Sequence, residues 1–230
     1  MIEVLDRILL SDNVREEFSN EYKNDNFKDW LLSILPEVEA CKNLKQDNPW
    51  HIYNCLEHIL NSVENMNRKT IDMENNKRRV LAYTMFLHDI GKPDCLIRRY
   101  SKLYKREVDS FFNHNIKSVE IANRVLNQFD FSLSEQDLIK KLILEHDMFM
   151  FLTLKKDNNP YHRLLTKEYL LEKINEFNNN KSGIDIMKYL ILVGRSDNEA
   201  QNPLLTKDSL HLLNVMDEMV NNIANKKSVR

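Results

Sequence analysis

The chain has 230 residues, with 33 Lys+Arg against 35 Asp+Glu, a net charge of -2 and 42% hydrophobic residues. That apolar content excludes a disordered polymer, and the near-neutral balance gives no overall field to draw nucleic acid, so any such affinity has to be local. With only 3 Gly and 5 Pro, the chain lacks the tight turns of sandwiches and barrels and predicts helices joined by short loops.

Cys41, Cys55 and Cys95 form no C-x-x-C pair and read as reduced thiols. The start, MIEVLDRILLSDNVREE, turns polar too early for a signal peptide, and no stretch approaches about 20 apolar residues. A cytoplasmic protein with no membrane partner is expected.

Residues 1–34 read as an N-terminal helical extension and 35–230 as one domain, with a polar run from Asn43 to Asn48 between the first helical region and the rest. In NPWHIYNCLEHILNSVENM, Ile52, Cys55, Leu56, Ile59, Leu60 and Val63 recur at three- and four-residue steps. The spacing predicts a helix starting at Asn48-Pro49, with His51 and His58 seven apart on one face. KRRVLAYTMFLHDI predicts a second helix, stopped at Gly91-Lys92-Pro93 because Gly permits the end geometry and Pro cannot continue. Further helices are expected near 115–128, 134–146, 166–177, 185–200 and 207–224, with capping oxygens in Ser132–Glu135 and Thr206–Ser209. Asn178–Gly183 reads as a loop. Met148–Leu154 and Leu190–Val193 show brief alternation that helices or loops can absorb.

Histidine and aspartate placement is the informative feature. His88-Asp89 lie side by side at the end of an apolar helix in FLHDIGKP, and His58, His114, His146 and Asp197 each sit beside another apolar run. Imidazoles mixed with carboxylates suit Mn, Fe, Co, Ni or Zn, whereas calcium prefers oxygen alone. His51 has three open roles: helix cap, support for a neighbour, or substrate contact. His162 and His211 read as ordinary hydrogen-bonded histidines. His88-Asp89 alone is a weak signal, but the order His, His-Asp-Ile-Gly-Lys-Pro, His, His, Asp is specific.

With those residues in view, the chain resembles the HD-domain superfamily of metal-dependent phosphohydrolases over Leu35–Asn202. The stretches LPEVEACKNLKQDNPWHIYNCLEHIL, FLHDIGKP and FFNHNIKSVEIANRVL are most similar to the HD domain of CCA-adding tRNA nucleotidyltransferases. The resemblance implies an all-α HD-domain-like helical bundle with a metal site in its central cleft. It implies that His58, His88, Asp89 and Asp197 hold a first metal and that His114 and His146, with Asp89 as bridge, hold a second. The two divalent ions would come from Mn, Fe, Ni, Co or Mg; one metal, with His114 and His146 facing phosphate, is the competing arrangement. No nucleotidyltransferase motif precedes the domain, so nucleotide addition is not expected, and the lack of a GYP motif disfavours cyclic di-GMP.

The implied activity is hydrolysis of a phosphomonoester or phosphodiester of a nucleotide or short oligonucleotide, short RNA included, by metal-activated water. Asp89 would hold the water. Lys92 would stabilise phosphate charge or protonate the leaving group, unless it is a solvated lysine beyond a helix end. Arg98 and Arg99, in a basic run interleaved with Tyr100 and Tyr104, either form a nucleotide-facing rim or a solvated face. Glu145 and Asp147 flank His146 and either can orient an imidazole; Arg195 can face the cleft. The rival readings are a di-iron oxygenase on the same ligands and a non-catalytic binding module; a homodimer is compatible with all three.

Overall fold

The computed structural model describes residues 1–177 and 183–227. Mostly helical, it has 65% helix in eleven α-helices and 6% strand. In chain order these are α1 Ile2–Leu9, α2 Val14–Glu21, α3 Asp25–Ile34, α4 Glu37–Asn43, α5 Cys55–Lys69 and α6 Asn75–Leu87. A hairpin follows, β1 Ile97–Ser101 and β2 Arg106–Ser110. Then come α7 His114–Val125, α8 Leu133–Glu145, the two-residue strands β3 Leu152–Thr153 and β4 Arg163–Leu164, α9 Lys167–Glu176, α10 Gly183–Glu199 and α11 Lys207–Lys227. No described helix is long and apolar enough to cross a membrane.

The centre is built on α5, α6 and α10, packed against one another, with α8 against α6, α7 against α8 and α11 against α10. Ile59, Val63 and Met66 of α5 meet Ala82, Met85 and Phe86 of α6 and Met187, Leu190 and Val193 of α10 in one continuous apolar cluster. The N-terminal helices join it through Leu5, Ile8, Leu9, Val14, Phe18, Phe27 and Leu31. The buried amide of Asn67 on α5 donates to the carbonyls of Leu9 at 2.9 Å and Ser11 at 2.7 Å, tying the α1–α2 link to the central helix.

Local chemistry sets the helix ends, and it moves several expected boundaries. Helix α5 starts at Cys55, not at Asn48-Pro49, because Asn54 Oδ1 accepts the Glu57 N–H at 2.8 Å. Asn48 instead closes its own turn, accepting from Trp50 N at 3.1 Å. His51 therefore precedes the helix and shares no helical face with His58. Ser132 and Glu135 form the expected reciprocal capping box on α8. Thr206 turns its hydroxyl toward the Asn202 carbonyl at 3.4 Å. Met148–Leu154 becomes a 3-10 turn over His146–Phe151 followed by β3, and Leu190–Val193 lies within α10. Of the expected loop at 178–183, residues 178–182 lie outside the described residues, and Gly183 opens α10.

Helix α6 ends at Leu87, ahead of the expected stop at Gly91, which lies in the turn that follows and has no left-handed backbone, as no glycine has positive φ among the described residues. A Cβ there would stand 2.6 Å from Ser118 N, 2.8 Å from the His114 carbonyl and 2.8 Å from Lys117 Cβ. Its N–H donates to Ser118 Oγ at 3.0 Å. Glycine is required so that α7, and His114 with it, can press against the turn after α6.

Charge clamps the β1–β2 hairpin, which buries little apolar surface. Its register runs from Ile97↔Ser110 to Ser101↔Arg106, and Lys105 closes the loop at φ 51. Asp109 N donates to the Asp47 carbonyl at 2.9 Å and Asp47 N to Asp109 Oδ2 at 2.7 Å, while Asp47 pairs with Arg98 and Arg106.

Candidate metal centre

Five helices, with the turns that end two of them, deliver six side chains to a common point. His58 comes from the first turns of α5, His88 and Asp89 from the end of α6, His114 from the first residue of α7, His146 from the end of α8, and Asp197 from α10. Their ligand-capable atoms form two groups, His58/His88/Asp89/Asp197 and Asp89/His114/His146, within which all such atoms lie within 4.8 Å of one another.

The four imidazoles are oriented alike. Each Nδ1 meets a backbone carbonyl: Ala200 at 3.3 Å from His58, Met85 at 2.6 Å from His88, Phe111 at 2.7 Å from His114 and Ile143 at 2.7 Å from His146. A carbonyl only accepts, so Nδ1 carries the hydrogen and Nε2 is left to face the cluster, as metal-ligating histidines require.

Asp89 spans the two groups with its two oxygens. Oδ2 lies 3.1 Å from His58 Nε2 and 3.3 Å from His88 Nε2, whereas Oδ1 lies 3.1 Å from His114 Nε2 and 3.7 Å from His146 Nε2. Asp197 Oδ1 stands 2.9 Å from His58 Nε2 and 3.5 Å from His88 Nε2; its Oδ2 accepts from Gln201 Nε2 at 3.1 Å. Despite these short separations, His58 Nε2, His88 Nε2 and Asp89 Oδ2 are buried without a properly directed hydrogen bond. Donor atoms that crowd together yet do not bond one another fit a cation held between them. Buried His and Asp groups thus form sites that can hold metal ions.

The electrostatics agree. Burial alone would push the Asp89 carboxyl up, but the His88 and Lys92 charges and the close His114 and His58 imidazoles hold it well below the usual carboxylate range. Asp197 is held well below against the same burial by His58 and His88. Burial opposes a charge on His88, yet Asp89 and Asp197 push it up to about 10. His58 and His114 are raised against burial by the same kind of carboxylate partner. His146 is lowered, chiefly by burial. Without a cation the carboxylates favour a proton on His88; a divalent ion held at the same place would compete with that proton.

Lys92 lies in the turn after Asp89, its Nζ 2.6 Å from Asp89 Oδ2 and 3.0 Å from Gln46 Oε1. It also donates to His51 Nε2 at 3.2 Å, and His51 Nδ1 is held by Asn48 Oδ1 at 2.8 Å. Burial and then the Lys92 charge keep the His51 imidazole well below its ordinary value, consistent with a neutral acceptor. His51 therefore supports Lys92 from a loop, and its ring centroid lies 5.1 Å from that of His58. Cys55 and Cys41 direct their thiols to the carbonyls of Asp89 at 3.7 Å and Ile90 at 3.8 Å, fastening the same turn from below.

Other expected participants lie elsewhere. Arg98 is engaged with Asp47, and Arg99 is exposed on β1 with no ion pair among the described residues. The structure brings neither to the cluster. Arg195 pairs with Asp217 at 3.1 Å and Asn214 at 3.0 Å rather than facing the cleft. His162 bonds Asp157 at 2.6 Å on the surface, and His211 is exposed. Of the two acids beside His146, Asp147 approaches the imidazoles. Gln46 and Gln201 carried no sequence signal, because an amide that orients a neighbour is an ordinary polar residue in the chain.

The helical architecture and its His/Asp cluster are compatible with an HD-like fold. The comparisons found no protein-family model that matches the chain and no match among curated proteins.

Proposed function

We propose that the chain is a metal-dependent phosphohydrolase of the HD type, cleaving a phosphomonoester or phosphodiester of a nucleotide or short oligonucleotide at a binuclear centre. His58, His88, Asp89 and Asp197 would hold one ion and Asp89, His114 and His146 the other. The observation that carries this reading is the common orientation of the four imidazoles, each with Nδ1 on a carbonyl and Nε2 toward Asp89 or Asp197. Divalent ions bound there would lower the pKa of coordinated water toward about 7 and offset charge on a phosphate.

The chain's own groups do the rest. Asp89 offers one oxygen to each group, so its carboxylate ties the two positions into a single unit. Lys92 holds a buried ammonium at the edge of that unit, fixed by Asp89, Gln46 and His51, where an anionic ester or its leaving oxygen can meet it. That buried cation favours a phosphate ester over a neutral substrate. Side chains of His58, His88 and Asp89 are at most 2% exposed, against 11% for His114 and 12% for Asp197, so substrate would approach from the latter side.

The test is a screen with Mn, Co, Ni, Mg or Fe against nucleoside mono-, di- and triphosphates, cyclic nucleotides and short oligoribonucleotides, with elemental analysis alongside. Ion-dependent ester cleavage, lost together with bound metal in Asp89→Ala, is the expected result. A fully loaded protein that cleaves none of them would overturn the reading, and a product requiring iron and O₂ would place the chemistry with the oxygenases.

A further inference from the structure

We infer that Asp147 supplies a terminal carboxylate ligand to the His114/His146 position, an inference that rests on the binuclear reading above. Asp147 directs Oδ2 to within 3.3 Å of His114 Nε2 and Oδ1 to within 3.4 Å of His146 Nε2. The two Nε2 atoms are themselves 3.1 Å apart. With both Nδ1 atoms committed to carbonyls, neutral rings would aim two lone pairs at each other and at two carboxylate oxygens. Only a cation or a proton relieves that arrangement, and Asp147 meets no Lys or Arg among the described residues.

Both residues lie just past the end of α8 at Glu145, in the 3-10 turn that runs from His146 to Phe151. The convergence of the two side chains on His114 rests on the distances above and not on the helix type, since successive residues diverge by about 100° in an α-helix and by more in a 3-10 turn.

With Asp147 included, each position has two imidazoles and two carboxylates, Asp89 being shared. Three carboxylates against two divalent ions and Lys92 leave two positive charges, matched to a phosphate dianion. Asp147 is also the most open group of the set, its side chain 25% exposed, and so lies on the side from which substrate would come.

Titration with Mn²⁺ alone, followed by electron paramagnetic resonance and elemental analysis, tests this without turnover. Wild type is expected to bind two ions. Asp147→Ala should keep one at unchanged affinity and bind the second roughly tenfold or more weakly, as His114→Ala should. Asp147→Asn keeps the side-chain shape, guards against a folding defect and should weaken the same ion. Two ions bound at wild-type affinity in either Asp147 variant would overturn the inference while leaving the binuclear reading intact. A wild type that binds one ion overturns the inference with the second position, and one that binds none removes the metal-dependent reading as a whole.

Discussion

Lys92 Nζ stands 2.6 Å from Asp89 Oδ2, with both side chains buried. Among the described residues it is the one Lys or Arg within ion-pair distance of the His/Asp cluster. Lys92→Met should therefore keep bound metal but slow turnover by about 10²-fold, the scale of losing one charge-stabilising donor. The metal-free variant should also lose about 3–5 kcal/mol, since Asp89 is left buried without its partner. Elemental analysis, phosphate release and denaturant unfolding check the three effects; unchanged kinetics would leave Lys92 a structural ion pair.

The stability of the metal-free protein should fall on both sides of neutrality. His88 is raised to about 10 in the folded chain against about 6.5 unfolded, so its contribution is full below pH 6.5 and fades as pH climbs toward 10. His58 and His114 act in the same direction. Asp89 and Asp197 are depressed, so their contribution is present above about pH 4 and lost below it, and the lowered His51 and His146 add to the acid-side loss. Saturating Mn²⁺ should flatten the alkaline fall, because the ion replaces the proton on Nε2. Melting temperature against pH, with chelator and with Mn²⁺, reads this; identical alkaline slopes would contradict it.

Gly91→Ala should cost about 1–3 kcal/mol by forcing α7 away from the turn after α6. The displaced backbone includes the His114 carbonyl, 2.8 Å from the added carbon. Metal affinity should drop at the His114/His146 position and hold at the His58/His88/Asp197 position. Denaturant unfolding and Mn²⁺ titration measure both, and equal weakening of the two would show a wider distortion.

Gln201→Ala removes the donor to Asp197 Oδ2 without touching a ligand. Loss of such an orienting hydrogen bond typically weakens a site 10–100-fold, roughly the change expected in chelator competition. An unaltered affinity would mean that Asp197 is positioned by His58 and His88 alone.

Helical class was legible because Val80 to Leu87 and Ile186 to Val193 carry helical apolar periodicity, and those helices are what the chain forms. The His/Asp residues could be singled out because each borders such a run. Three features were not legible. Asn48 and Asn54 are both plausible caps, and only the folded backbone shows that Asn48 is used by Trp50 and His51. The hairpin has no apolar alternation, because Ile97, Tyr100 and Leu103 stay exposed and Asp47 and Asp109 hold it. Glu145 and Asp147 were equally eligible to orient an imidazole, and only the folded chain shows that Asp147 is the one that also reaches His114.

Asn67's grip on the Leu9 and Ser11 carbonyls has a practical corollary for anyone trimming the protein. Cutting away residues 1–34 would uncover the backs of α5 and α6 where Leu5, Ile8, Val14 and Phe18 now lie at 2% exposure or less. The shortened chain would present that greasy face to water and clump before its cleft could be assayed.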